Sequence, residues 1–168
     1  TVNQGLEVDG RWAANDWLTL GGSAAYLDAE YEEYEQGACS QTSGLTNPCD
    51  LTGETPPYAP EFSATVFADV SVPMGSSLNV VGNLTAAYSG DYYTDGTLDP
   101  VAEQDSYTRV SARLGIEDAQ GKWDVSVIGR NLTEEEVLDV TQPLFGYYLG
   151  YIGAPRTITI QGTYRFGN

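Results

Sequence analysis

The sequence predicts an all-β, antiparallel fold of the membrane-barrel kind, and three observations carry that prediction. Polar and apolar residues alternate with a period of two in seven separate stretches. The connections between stretches are short on one side and long on the other. Aromatic residues gather at both ends of the apolar face.

Near 4–13, Leu6, Val8, Gly10 and Trp12 alternate with Glu7, Asp9 and Arg11. Near 17–29, Leu18, Leu20, Ala24 and Tyr26 alternate with Thr19, Ser23 and Ala25. The stretches near 61–72 and 77–89 place Phe62, Val66, Val70, Leu78, Leu84 and Tyr88 against Ser63, Thr65, Asp69, Asn79, Asn83 and Ser89. Near 106–117, Val110, Ala112, Leu114 and Ile116 oppose Arg109, Ser111, Arg113 and Glu117; near 122–132, Trp123, Val125 and Val127 oppose Asp124, Ser126 and Arg130. The last stretch, near 155–166, sets Ile158, Ile160, Tyr164 and Phe166 against Thr157, Thr159, Gln161 and Arg165. None of these patterns has the period of a helix, so the strands pair as an antiparallel sheet.

"AAND" (13–16), "PMGS" (73–76) and "DAQGK" (118–122) are tight turns, whereas 31–61, 89–106 and 132–155 are long loops. Outer-membrane barrels keep that asymmetry, and a soluble meander has no reason to. Trp12, Trp123, Tyr164 and Phe166 mark the short-turn level of the apolar face; Tyr26, Phe62 and Tyr88 mark the long-loop level. The stretches between the two levels are close to the ~9–11 residues a tilted strand needs to cross a bilayer. The alternative is a β-sandwich with aromatics at both ends of its inner faces. Seven strands with charges on the inward face do not close a barrel unaided, and open edges in lipid cost several kcal/mol per unpaired group, so further strands are expected from elsewhere in the protein.

The 168 residues include no apolar run near the ~20 a membrane helix requires. Acidic side chains number 24 against 7 basic ones, giving a net charge of −17 and arguing against nucleic acid as a partner. "TVNQGLEVDG" has neither an initiator Met nor a signal-peptide pattern, and reads as the start of a piece of a longer chain. No histidine is present, which removes Ser-His-Asp and Cys-His catalysis and leaves no reading as an enzyme. The carboxylates of "EYEEYE" and "TEEEV" read as solvated loop acids, and the two "NLT" sequons as ordinary strand residues. Cys39 and Cys49 lie in one polar loop, where an oxidising compartment would join them; two thiols without histidine do not make a zinc site.

The three long loops carry many acids, many tyrosines and no Lys or Arg. Tyr92, Tyr93, Tyr147, Tyr148 and Tyr151 are the ligand-binding candidates, because flat amphipathic rings suit sugar or aromatic groups. Packing of loop against loop is the competing use of the same rings. Asp91, Asp95 and Asp99 are candidates for weak divalent-cation binding, set against a reading as a plain acidic surface, and no cofactor is implied.

The residues resemble one family, the TonB-dependent outer-membrane receptors. "WDVSVIGRNLTEEEV" (123–137) is similar to that family's penultimate strand, with a Trp start and an Asn-Leu-Thr-acidic end. "APRTITIQGTYRF" (154–166) resembles its Pro-Arg lead into a final strand ending in Phe, and "GLEVDGRWAANDWLTLGGSAAYLDAEY" (5–31) its strand-turn-strand grammar. The resemblance implies the last seven strands of a roughly 22-stranded barrel whose N-terminal plug and energy-coupling box are absent from this chain. Gly167 and Asn168 depart from the usual terminal Phe. Implied function is energy-dependent uptake of a scarce nutrient across the bacterial cell outer membrane, most often a ferric siderophore. Acidic, Tyr-rich loops fit a neutral or cationic ligand better, which keeps an oligosaccharide receptor as an alternative beside a passive porin and a secreted carbohydrate-binding sandwich. Implied partners are outer-membrane lipid and lipopolysaccharide, the remaining strands and plug, the TonB energy-coupling complex and a small-molecule nutrient.

Overall fold

The computed structural model describes residues 1–166; the departure expected at Gly167 and Asn168 lies outside the described residues. Eleven strands run along the chain: β1 Val2–Ala13, β2 Leu18–Glu30, β3 Phe62–Met74, β4 Leu78–Ser89, β5 Tyr92–Tyr93, β6 Glu103–Gln104, β7 Tyr107–Asp118, β8 Trp123–Arg130, β9 Leu138–Leu144, β10 Tyr147–Ile152 and β11 Thr157–Tyr164. A seven-stranded antiparallel sheet has the order β1-β2-β3-β4-β7-β8-β11, so each long strand pairs with the next one in sequence. The remaining four strands form two small hairpins, β5–β6 and β9–β10, inside the second and third long connections. The sequence predicts loops throughout these connections; each instead folds back on itself as a hairpin, because its backbone groups need partners away from the main sheet. No helix among the described residues is long and apolar enough to cross a membrane.

Register sorts the side chains onto two faces. Leu84 pairs with Ala68 and Ala112, Leu114 with Val127, and Val127 with Ile160, which makes one continuous apolar belt across five strands. No described residue covers it: Leu114 is 66% exposed and Ile160 77%. The buried apolar residues are Ala29, Ala102 and Val137, none of them on this belt. Leaving such a face in water would forfeit roughly 1.5–3 kcal/mol for each large side chain, so it is built for a hydrocarbon solvent. The sandwich alternative falls here, since no second sheet packs on the belt among the described residues.

Aromatic pairs bracket the belt. Trp123 pairs with Tyr164, whose ring lies 4.8 Å from Phe166, at the short-turn end. At the other end Tyr26 pairs with Phe62, 6.0 Å from the Tyr88 ring. Two of the tight turns at the short-turn end use left-handed glycines, Gly75 (φ 73°) and Gly121 (φ 73°), where a Cβ would be strained.

The opposite face is polar and partly cross-linked. Arg11 meets Asp69 at 3.3 Å, and the Asn83 amide donates to the same carboxylate at 2.8 Å. Arg113 meets the buried Asp124 at 3.3 Å, with Arg165 at 4.0 Å on its other oxygen. An aromatic also sits on this face: the Phe67 ring lies over Gly21, where a Cβ would come 2.4 Å from its Cζ, and the Arg11 guanidinium is 5.7 Å from its centroid. β1 and β11 each have one side unpaired, so the sheet does not close within this chain.

Candidate functional site

The long connections all leave the sheet at the same end and fold together there. β9 and β10 meet at Phe145 (φ 46°) and Gly146 (φ 87°), consecutive left-handed residues of the kind that close a two-residue hairpin in the twist strands prefer. Tyr147, Leu149 and Tyr151 then share one face, opposite Leu144, Gln142 and Val140. Tyr147 is 77% exposed and Tyr151 57% exposed. Tyr148, of opposite parity, turns inward toward the other loops.

Its partner there is Asp99, which has no exposed surface. Asp99 caps the 3-10 turn Pro100–Ala102 by accepting from Val101 N at 3.0 Å. Its other oxygen accepts the Tyr148 hydroxyl, Thr42 N at 3.1 Å and Thr42 Oγ1 at 3.0 Å. One carboxylate therefore ties together the first, second and third long loops. Burial alone would raise the Asp99 pKa, but hydrogen bonds from Tyr148, Val101 and Thr42 outweigh it and hold the carboxyl well below its ordinary range. The Tyr148 phenol is pushed up to about 12, by burial first and by its bond to Asp99 second.

A second knot lies beside the first. Thr94 Oγ1 is 2.7 Å from both Ala102 O and Thr141 Oγ1, linking β9 to the β5–β6 loop. Tyr58 donates to Thr94 O at 2.5 Å, and its backbone N reaches Tyr93 O at 2.9 Å. Gln104 accepts from Leu138 N at 2.6 Å. Below the loops, the Arg109 guanidinium lies 5.1 Å from the Tyr107 centroid. Tyr92, Tyr93 and Tyr58 all have raised pKa values, with burial the leading cause in each. These phenols are neutral donors at ordinary pH.

The first long loop is held by the Cys39–Cys49 disulfide and by paired backbone bonds between Gly37 and Cys49 at 2.8 and 2.9 Å. The third is shaped by buried Asn131, whose amide donates to Glu135 O at 2.9 Å and Ala154 O at 3.2 Å while its oxygen accepts from Glu135 N at 3.0 Å.

The five tyrosines proposed for ligand contact are thus divided by the fold. Tyr92, Tyr93 and Tyr148 are half-buried within the loop cluster, and Tyr147 and Tyr151 stand free on the β9–β10 face. The three aspartates do not converge: Asp91 is exposed, Asp95 accepts from Thr97 N at 2.5 Å, and Asp99 is spent on the contacts above. No cluster of acids or cysteines suited to a metal occurs among the described residues. Asp99, Thr94, Gln104 and Asn131 were not legible as organisers. Only the "LDP" step at 98–100, an acid before a helix-starting proline, carried a local capping signal.

The family model described as TonB dependent receptor-like, beta-barrel matches residues 1–132. No curated protein matches the sequence. Among solved structures, the ferric yersiniabactin uptake receptor FyuA from Yersinia pestis is similar at a TM-score of 0.73 and 16% identity, over 95% of this chain and 23% of that one. The siderophore receptor PiuA from Acinetobacter baumannii is similar at 0.67 and 17% identity, over 95% and 21%. BauA, the ferric preacinetobactin receptor of the same organism, gives 0.59 and 21% identity, over 96% and 22%. This chain therefore spans less than a quarter of the length of those proteins. The family match covers most of the chain, whose open antiparallel meander is that of a barrel wall, and the chain belongs to the TonB-dependent receptor β-barrel family.

Proposed function

We propose that the chain is the C-terminal portion of the barrel of a bacterial outer-membrane receptor that captures a scarce nutrient, of the ferric-siderophore class, and imports it with energy from the inner membrane. The observation that carries this reading is the ordered long-loop pole of a family barrel wall, with the Tyr147 and Tyr151 rings free at its surface. The names of FyuA, PiuA and BauA, each a receptor for a siderophore or its ferric complex, support the ligand class. In this reading lipid and lipopolysaccharide meet the apolar belt, the missing strands extend β1 and β11, and a plug faces the polar wall. TonB engages a segment upstream of this chain. Tyr92, Tyr93 and Tyr148 shape the ligand surface from within, and Tyr147 and Tyr151 touch it.

A second reading, oligosaccharide uptake, is favoured by loops that carry acids and tyrosines but no Lys or Arg. Uptake by cells carrying or lacking the full receptor gene separates the two. Labelled iron chelates should enter only with the receptor and an active TonB system. Equal uptake in receptor-deleted cells, with oligosaccharide growth lost instead, would replace the first reading by the second.

A further inference from the structure

We propose that Arg109 and Arg130, backed by Tyr107, form a binding site for a carboxylate-type oxyanion on the polar wall just below the loops. This deepens the uptake reading and rests on it for the identity of the wall as a ligand path. The chain has 7 basic residues among 24 acidic ones. Arg11, Arg113, Arg156 and Arg165 each face a carboxylate, at 3.3, 3.3, 2.9 and 4.0 Å, and Lys122 lies at the β7–β8 turn. Arg109 and Arg130 have no such partner among the described residues, and the Arg109 Nε is buried without a hydrogen bond. In so acidic a chain, two arginines of the sheet wall without a carboxylate are a matter of placement rather than supply.

Register puts them together. The pair Ala112↔Gly129, continued by one residue, sets Arg130 opposite Ser111 and in line with Thr157 on β11. Arg109 lies two residues from Ser111 on the same face, which makes the two arginines diagonal neighbours across β7 and β8. Like charges so placed repel, and an oxyanion between them removes that repulsion. A guanidinium binds a carboxylate through two parallel N–H donors, and the stacking of Arg109 against Tyr107 fixes the plane of its fork. Because the loops above carry no Lys or Arg, these are the first unpaired cations that a ligand passing them would meet. The competing occupant is a carboxylate carried by another segment of the receptor itself.

The test uses the full receptor purified in detergent and titrated with citrate, with glycerol as the uncharged control. Citrate should bind saturably, R109Q/R130Q should raise its Kd at least tenfold, R109K/R130K should raise it less, and R11Q should leave it unchanged. R130Q alone, at an exposed position, keeps the measurement available should the double variant not fold, and a threefold rise is expected for it. No saturable citrate binding by the folded receptor, or an unchanged Kd in R130Q and in any folded double variant, overturns the site. A lower melting temperature in R109Q/R130Q with citrate affinity unaltered also overturns it, by assigning the arginines to an internal carboxylate. TonB-dependent uptake, measured separately in cells, reports on the receptor reading, so the two ideas fail independently.

Discussion

The Tyr148 hydroxyl donates to the fully buried carboxylate of Asp99, joining residues 49 positions apart in two different long loops. The same carboxylate holds Thr42 of a third loop. Replacing Tyr148 with Phe removes one hydrogen bond to a charge and should loosen the cluster by about 1.5–3 kcal/mol, and Asp99→Ala by more, since Thr42 and Val101 would lose their acceptor as well. Protease protection of the 40–46 segment is the measurement, and equal protection in wild type and both variants would sink the idea of a shared hub.

The same pair sets a pH window. Asp99 has a depressed pKa, so its contribution is present above the ordinary carboxylate value near ~3.9 and fades as pH falls through the folded value. Tyr148 is raised, so its contribution is full below ~10 and fades as pH rises through about 12. Loop protection should form a plateau between these limits. In Y148F the alkaline edge attributable to this phenol should vanish.

Tyr147 and Tyr151 are the exposed aromatic pair of β10, and Tyr148 is the structural one. In the full receptor Y147A/Y151A should weaken nutrient binding about tenfold, or ~1.4 kcal/mol, with loop protection intact. Unchanged affinity would move ligand contact to loops outside this chain.

The disulfide closes a loop with a sequence separation of 10. C39S/C49S should lower the local stability of the first long loop by roughly 2–3 kcal/mol through the entropy of its open form. Tryptic cleavage is not informative in a loop without Lys or Arg, so a Glu-specific protease is the probe.

In that disulfide-free background, single cysteines introduced within 36–56 or 94–102 should react with an impermeant thiol reagent on intact cells. Cysteines within 73–76 or 118–122 should react only after permeabilisation. Labelling of Q120C in intact cells would reverse the orientation.

Gly21 leaves room for the Phe67 ring. G21V should cost about 1–3 kcal/mol by overpacking and lower the yield of heat-modifiable barrel, and F67A in the same chain should restore it. Failure of that rescue would trace the need for glycine to the backbone instead.

The main sheet was legible because each strand meets two different solvents, and a period of two records that difference directly: Leu114 and Ile116 against Arg113 and Glu117 could be sorted by eye. The loop hairpins were not. β9 and β10 turn at Phe145-Gly146 rather than the familiar Asn-Gly, and the alternation of β9 is interrupted by Gln142 and Pro143. Asp99 looked like one more acid in an acidic loop, because its role depends on Thr42 and Tyr148, 57 and 49 residues away. Contacts of that kind leave no periodic trace.

A rim whose three long loops are tied through one buried carboxylate is joined before any ligand is present. On the receptor reading proposed above, a ligand would not have to order these loops, and its affinity would escape the ~1–2 kcal/mol per residue that fixing a loose backbone subtracts. On that reading, recognition at this sector would be docking onto a preformed surface, and gating would fall to other parts of the receptor.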